Sequence, residues 1–400
     1  MDDLRDITVI GGGLAGLVAA IECAEAGRSV RLHEASDRLG GWARSSTGDF
    51  QANFGPHVVY DDGGLWAWLD QRGLAEPAAG VRTATARFRV DGRSKRLPPP
   101  GMITALLRLR RRTAPADVDA HRWYTDQVGA EVAERLCSAA GVFSFDHDPG
   151  RLSAAFVHER LVRVSKLPPH TRYVPGGWAT LVERLAGRAR SLGVDVRTGD
   201  RVDALPAAPV IVAVPLRAAR RLLDDDALQW DGTRTALLDV GLRKGRPRGP
   251  FVVSDLDESG WIECFSRPDP TLAPDGHELL QAQMGLRPDE TLEEGVARIE
   301  ALLDVTWPGW RRREVWRRRS AVSHATGALD LPGTTWRDRP AVDRGGGVFL
   351  AGDAVAAPGL LSEVSVASAV DAAARAVAWP ADRRPVEAGA PGRAGALSRP

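Results

Sequence analysis

Apolar and polar positions follow a distinctive order near the start of the chain. Ile7-Thr8-Val9-Ile10 is a short β-branched run, the composition of a strand buried in a parallel sheet, and it stops at three glycines. Leu14 to Glu25 continues with small and apolar residues at helical spacing. Ala26-Gly27-Arg28 closes that helix, and Ser29 to His33 reads as a second strand ending at Glu34. Further on, "ARFRVDGRSKRLPPP" from Ala86 alternates like an edge strand, while "GMITALLRLRRR" and "EVAERLCSAAGV" have helical spacing. Strand-like runs return at "TALLDVGL", "PFVVSDL", "GWIECFS" and "LLQAQMG", and "LEEGVARIEALLDVTW" predicts a helix. No internal repeat is evident.

The first unit carries chemistry. Gly11, Gly13 and Gly16 stand in G-x-G-x-x-G register: the first permits the sharp turn, the second a close backbone approach to a pyrophosphate, the third tight helix packing. The helix that opens at Leu14 and Ala15 would point its free N–H groups and positive dipole end at that phosphate. Glu34 can accept hydrogen bonds from ribose hydroxyls, and an acid there argues against a 2′-phosphate, hence against NADP. The unit predicts a Rossmann-like nucleotide site.

Which dinucleotide it takes is indicated by a resemblance. Glu34-Ala35-Ser36-Asp37-Arg38-Leu39-Gly40-Gly41, followed by Trp42-Ala43-Arg44, resembles the E-x(5)-GG extension of the FAD motif in the flavoprotein amine oxidases, phytoene desaturases and protoporphyrinogen oxidases. "FGPHVVY", with Gly55, Pro56 and His57, resembles the segment that runs beside the flavin in that superfamily. "YVPGGWATLVERLAGRARSLGVDVRTGDRVDAL", containing Val202, is similar to its P-x-GG helix and adenosine-side strand, and "VIVAVP", containing Ala213, to its short Ala-x-Pro strand. "GGGVFLAGDAVAAPGLLSEVSVASAVDAAARAV" resembles the C-terminal motif, in which Gly352-Asp353, Leu361 and Val364 would stand near the flavin. The family's Gly-Gly-Arg is here Gly40-Gly41-Trp42, so the arginine's contact passes to Arg44 or is lost. Its Ser-Gly in the last helix is Ser368-Ala369, and Glu363 stands where small residues are usual.

The resemblance implies an α/β fold: a Rossmann-like, glutathione-reductase-type FAD-binding domain with an inserted α+β substrate-binding domain. The expected division is 1–85, 172–235 and 340–380 for the FAD domain, 86–171 and 236–339 for the substrate domain, and a disordered tail at 381–400. The FAD is expected to be non-covalent, because the C-terminal motif offers no suitably placed cysteine or histidine. The implied function is an FAD-dependent oxidoreductase taking a hydride from a C–H bond of a hydrophobic or amine-containing small molecule, by desaturation or amine oxidation. Oxygen or another acceptor would reoxidise the flavin. Two alternatives stay open: a redox-neutral FAD-dependent isomerase, and a non-catalytic FAD-stabilised partner protein. His57 and His324 are the candidate catalytic side chains, and Trp178 a candidate wall of the substrate pocket.

Composition narrows the surroundings. Four hundred residues exceed one ordinary core, so two lobes are expected. Fifty-three basic against 52 acidic residues leave +1, which gives no support to nucleic acid as a partner. Cys23, Cys137 and Cys264 are far apart and suggest neither a metal site nor a redox pair. The start, Met-Asp-Asp-Leu-Arg-Asp, lacks a signal peptide's apolar region, and no run approaches the roughly 18 apolar residues of a membrane span. A cytoplasmic protein is expected. The basic segment at residues 106–112 raises peripheral membrane contact, against the plainer reading of a solvated helix face.

Overall fold

The computed structural model describes residues 7–55, 57–80, 85–245, 249–324 and 327–380. The tail at 381–400 and Pro56 lie outside the described residues. In chain order the described strands are β1 (Ile7–Ile10), β2 (Val30–Glu34), β3 (Val59–Tyr60), β4 (Ala86–Val90), β5 (Arg93–Lys95), β6 (Thr171–Arg172) and β7 (Asp195–Thr198). They continue with β8 (Val210–Val212), β9 (Arg234–Arg243), β10 (Val252–Asp255), β11 (Trp261–Cys264), β12 (His277–Gly285), β13 (Glu314–Ser323) and β14 (Val348–Leu350).

One sheet is wholly parallel, in the order β14-β8-β1-β2-β7. Its central strand is buried at all four positions, as its unbroken β-branched run requires. The helix Leu14–Glu25 packs between this sheet and the helices Gly177–Ser191 and Ser362–Ala378. Alanines and glycines along the first and last of these let their axes approach closely. This is the α/β, Rossmann-like arrangement that the glycine motif predicts.

The second sheet has the order β13-β9-β12-β11-β10-β4-β5 and is antiparallel except between β10 and β4. The helix Leu292–Thr306, started by a Thr291–Glu294 capping box, lays Val296, Ile299, Leu302 and Leu303 into the core on this sheet. Strand β9 is buried at eight of its ten positions because its other face meets the 50–54 segment, where a Cβ on Gly241 would stand 2.6 Å from the Phe50 ring. The arginine-rich run before and along β13 is largely neutralised. Arg311 pairs with Glu300 and Asp304, and Arg317 with Glu300 and Glu314. A third core, around Tyr124, Leu136, Phe143 and Phe156, joins the helices Pro100–Leu109, Ala120–Val128, Ala130–Ala139 and Ala154–Val164.

All three cysteines are buried and free, and burial pushes each thiol up to about 12, so none offers a thiolate at neutral pH. Among the described residues no helix is long and apolar enough to cross a membrane.

Candidate functional site

Four loops meet where the parallel strands end. Gly11 follows β1, Ala213 follows β8, Gly352 follows β14, and Glu34 closes β2. Backbone bonds tie these ends side by side: Gly11 N donates to His33 O at 2.7 Å, Ala213 N to Ile10 O at 2.8 Å, and Ala351 N to Val212 O at 3.0 Å. The chain fills the sheet on one side of β1 as far as β7 and crosses to the other side at β8. Gly11 therefore opens on the point where strand order reverses, the crevice where such sheets bind ligands.

The glycines differ in purpose. Gly11 has φ +107°, and a Cβ on it would lie 2.3 Å from Ala213 O. A Cβ on Gly16 would lie 1.8 Å from Gly11 O. Gly13 instead faces open space, with nothing nearer than 4.0 Å to its virtual Cβ. It caps the helix beginning Leu14-Ala15 without a side-chain bond, leaving that helix end to a ligand or solvent. Glu34 takes Gly12 N at 2.7 Å, Ser36 N at 2.8 Å and Ser36 Oγ at 2.7 Å. Gly40 N donates to Gly12 O at 2.8 Å, which lays the Gly40-Gly41 turn along the glycine loop. Arg44 comes to 4.0 Å from Glu34 and donates to Ser36 Oγ and, at 2.6 Å, to Arg38 O, so an arginine does stand at the acid despite Trp42 in the usual place. Ala35, Arg38 and Trp42 direct their side chains to solvent, and Val202 packs half-buried on the first core.

At the C-terminal motif, Ser368 Oγ accepts from Gly352 N at 2.9 Å and donates to Gly352 O at 3.0 Å, fastening the turn to the last helix. A virtual Cβ on Gly352 meets nothing within 4 Å. Asp353, Leu361 and Val364 line a hollow of about 280 Å³ with Phe156, Arg160 and Arg339. Burial raises the Asp353 carboxyl above its ordinary range. Arg339 holds Asp330 Oδ1 at 2.8 Å, whereas Arg160 donates to the carbonyls of Phe156 and Gly359, at 3.2 and 3.0 Å, lies over the Phe156 ring, and has the exposed Glu159 carboxylate no nearer than 4.0 Å. Burial without a bonded carboxylate brings Arg160 down to about 10.

Asn53, Phe54, Gly55 and His57 stand near both Trp178 and the second sheet. Gly55 is buried. His57 Nε2 lies 3.1 Å from Trp42 O, and its ring stands 4.7 Å from that of Trp178. Burial pushes its imidazole down to about 4, so it is neutral at physiological pH. Both residues line a second hollow of about 200 Å³ with Asn53, Tyr173, Phe265 and Asp269. The Trp178 indole N–H is buried there without a hydrogen-bond acceptor. Asn53 links the helix Gly177–Ser191 to the second sheet. Its Oδ1 accepts from Ser45 Oγ at 2.9 Å and Trp178 N at 3.1 Å, and its carbonyl accepts from Gln281 Nε2 at 2.9 Å and Arg318 Nη2 at 2.5 Å. His324 follows β13 and is exposed; its N–H bonds to Thr233 O, and its ring lies against Gly232.

Ser36, Asn53, Arg160, Arg339 and Ser368 were not legible as site residues. Asn53, Arg160 and Arg339 belong to no spacing motif that marks function; Ser36 and Ser368 lie inside the quoted motifs, but their bonds to Glu34 and Gly352 show only in the fold.

These features define a Rossmann-type dinucleotide-binding domain. Residues 9–72 match the family described as NAD(P)-binding Rossmann-like domain. A stretch of 72 residues is 42% identical to putrescine oxidase of Kocuria rosea and covers 18% of this chain and 15% of that relative. The fold is shared more widely. An oxidoreductase of Methanosarcina mazei superposes with a TM-score of 0.75 over 92% of this chain and 99% of its own, at 18% identity. Cyclohexylamine oxidase of Brevibacterium oxydans does so with 0.69 over 94% and 99%, at 16% identity. Together they support the amine oxidase and desaturase superfamily that the motifs resemble.

Proposed function

We propose that the chain binds FAD non-covalently along the strand-end crevice and is an oxidoreductase acting on a hydrophobic or amine-containing small molecule. The observation that carries this reading is the junction through β8, which sets the Gly352-Asp353 turn beside the Gly11 loop. A glycine loop alone suits any dinucleotide. A second open glycine turn across the reversal point suits one that extends past its pyrophosphate into a large ring. The fit is supported by the open backbone at Gly13 and Gly352 and by the unpartnered Trp178 N–H, which could meet an acceptor-bearing ring.

When bound, the flavin supplies a two-electron acceptor for a substrate hydride, with oxygen or another acceptor taking the electrons onward. Glu34 would receive the ribose hydroxyls, and the helix end at Leu14-Ala15 would face the pyrophosphate. Neutral His57 and Trp178 close one flank against water without adding charge. Phe143, Phe156 and Leu329 offer the apolar wall that a hydrophobic substrate needs. His57 is kept as the site histidine, and His324 is not. The five-stranded sheet with its helices forms the proposed FAD domain, and the seven-stranded sheet and helical layer the proposed substrate domain.

The test is the visible spectrum of the purified protein, followed by anaerobic mixing with amines, polyenes and terpenoids. A flavin spectrum that bleaches with one class and recovers in air is expected; colourless protein that FAD cannot reconstitute overturns the reading. Glu34→Gln tests the adenosine end. It keeps the side chain's shape but removes charge-assisted bonds worth about 1.5–3 kcal/mol, so FAD is expected to bind roughly 10- to 100-fold more weakly in a titration of the apoprotein.

A further inference from the structure

We propose that the exposed face of the helix Pro100–Leu109, with the hairpin before it, docks on an anionic lipid bilayer. Between Gly92 and Ala116 the chain carries seven basic residues, Arg93, Lys95, Arg96, Arg108, Arg110, Arg111 and Arg112, and no acidic one. All seven are exposed, and none forms an ion pair among the described residues. The pairing nearby is different: Arg89 is held by Asp255 and Asp257, and Arg135 by Asp91 and Asp257. The chain as a whole is only +1, which makes the rest of the molecule net acidic and gives this face the opposite sign.

Charge alone would suit any polyanion. The same stretch also presents Leu97, Ile103 and Leu107, which are 73%, 47% and 59% exposed. Met102, Ala105 and Leu109 bury the opposite side of the helix in the third core, so Ile103, Leu107 and Arg110 form the outward stripe. A bilayer is the partner that offers anionic headgroups with hydrocarbon directly beneath them, and basic residues flanking aliphatic ones answer both layers at once. Nucleic acid would call for stacking aromatics, and this stretch has none. The buried side of the helix shares its core with Phe143, Phe156 and Leu329, which also line the 280 Å³ hollow. Docking through this face would bring that hollow near the lipid.

The experiment is sedimentation of the full chain with vesicles of phosphatidylcholine alone or mixed with phosphatidylglycerol, at low and high salt. Binding to the mixed vesicles at low salt is expected, at least tenfold weaker without the anionic lipid and at least tenfold weaker for Arg110→Gln/Arg111→Gln/Arg112→Gln. Ile103→Ser/Leu107→Ser is expected to weaken it to a similar degree at constant charge. Both sets of side chains are exposed, and circular dichroism checks that the variants fold. A polarity-sensitive label on Leu107→Cys, selective because the native cysteines are buried, is expected to shift blue only with anionic vesicles. No sedimentation at low salt overturns the proposal. So does binding that survives loss of Ile103 and Leu107, or an unshifted label, since either would mark a site for a soluble polyanion.

Discussion

Gly16→Val is expected to yield a protein that purifies without flavin colour and unfolds at a lower temperature than the parent. Gly16 has an ordinary backbone conformation, so the substitution tests contact rather than strain. A Cβ there would lie 1.8 Å from Gly11 O and 2.9 Å from Gly11 C, both backbone atoms that cannot swing aside. Either the helix Leu14–Glu25 lifts from the sheet or the Gly11 turn, already at φ +107°, must move. Overpacking of this kind costs about 1–3 kcal/mol, and a backbone clash belongs at the upper end. Displacing the turn also removes the close approach on which dinucleotide binding depends. Gly27→Ala is the control. Gly27 has φ +79° but nothing within 4 Å of its virtual Cβ, so only about 1 kcal/mol of backbone strain is expected, with flavin retained. Flavin absorbance per protein and thermal melts distinguish the two. A Gly16→Val protein that stays fully yellow would remove the glycine loop from the binding site.

Arg318→Met should destabilise the protein by roughly 3–5 kcal/mol at neutral pH, the usual cost of leaving one member of a buried ion pair behind. Arg318 Nε and Nη2 reach Asp239 Oδ2 at 2.7 and 2.6 Å, and Gln281 Nε2 holds Asp239 Oδ1 at 2.9 Å. Asp239 is almost completely buried, and desolvation raises its carboxyl above the ordinary range even with Arg318 and Gln281 opposing. A carboxyl whose folded pKa is raised weakens the fold as pH climbs from the unfolded value, about 3.9, through the folded one, because the native state must then hold a costly charge. Without Arg318 the folded value rises further. The deficit should therefore be largest at neutral pH and shrink as pH falls through that window, which denaturant melts across pH would show. Arg318→Met/Asp239→Leu should recover most of the lost stability. It should not restore the Arg318 bond to Asn53 O, so Trp178 emission and flavin affinity should remain altered. Recovery of both in the double variant would sink the positioning role.

The reach of the sequence follows the range of the interactions. Gly11 to Gly41 is legible because its requirements are local: a turn, a helix start and an acid at a strand end, all within a few dozen residues. The C-terminal Gly352-Asp353 turn is legible only by resemblance, since nothing local says that β14 will lie beside β8. Asn53 and Arg318 were illegible for a stronger reason. Asn53 reads as an ordinary polar residue beside a motif, and Arg318 as one arginine in a basic run, until β12 and β13 bring Gln281 and Arg318 onto the Asn53 carbonyl. Arg160 was hidden by its helix, where a lone arginine on an apolar face looks like a snorkelling side chain.

The parallel sheet also dictates a timetable. β1 is made first, yet its neighbour β8 begins at Val210 and the strand beyond that, β14, at Val348. At about 5–20 residues per second, a ribosome takes roughly 20–70 s to go from the Gly11 loop to the Gly352 turn. Through that interval the nascent chain has a glycine loop with no opposite wall, and Ile7, Val9 and the small-residue helix lack their cover from Ser362–Ala378. On the proposed reading, flavin capture would fall late in synthesis or after release, and chaperones would meet the apolar first unit before it.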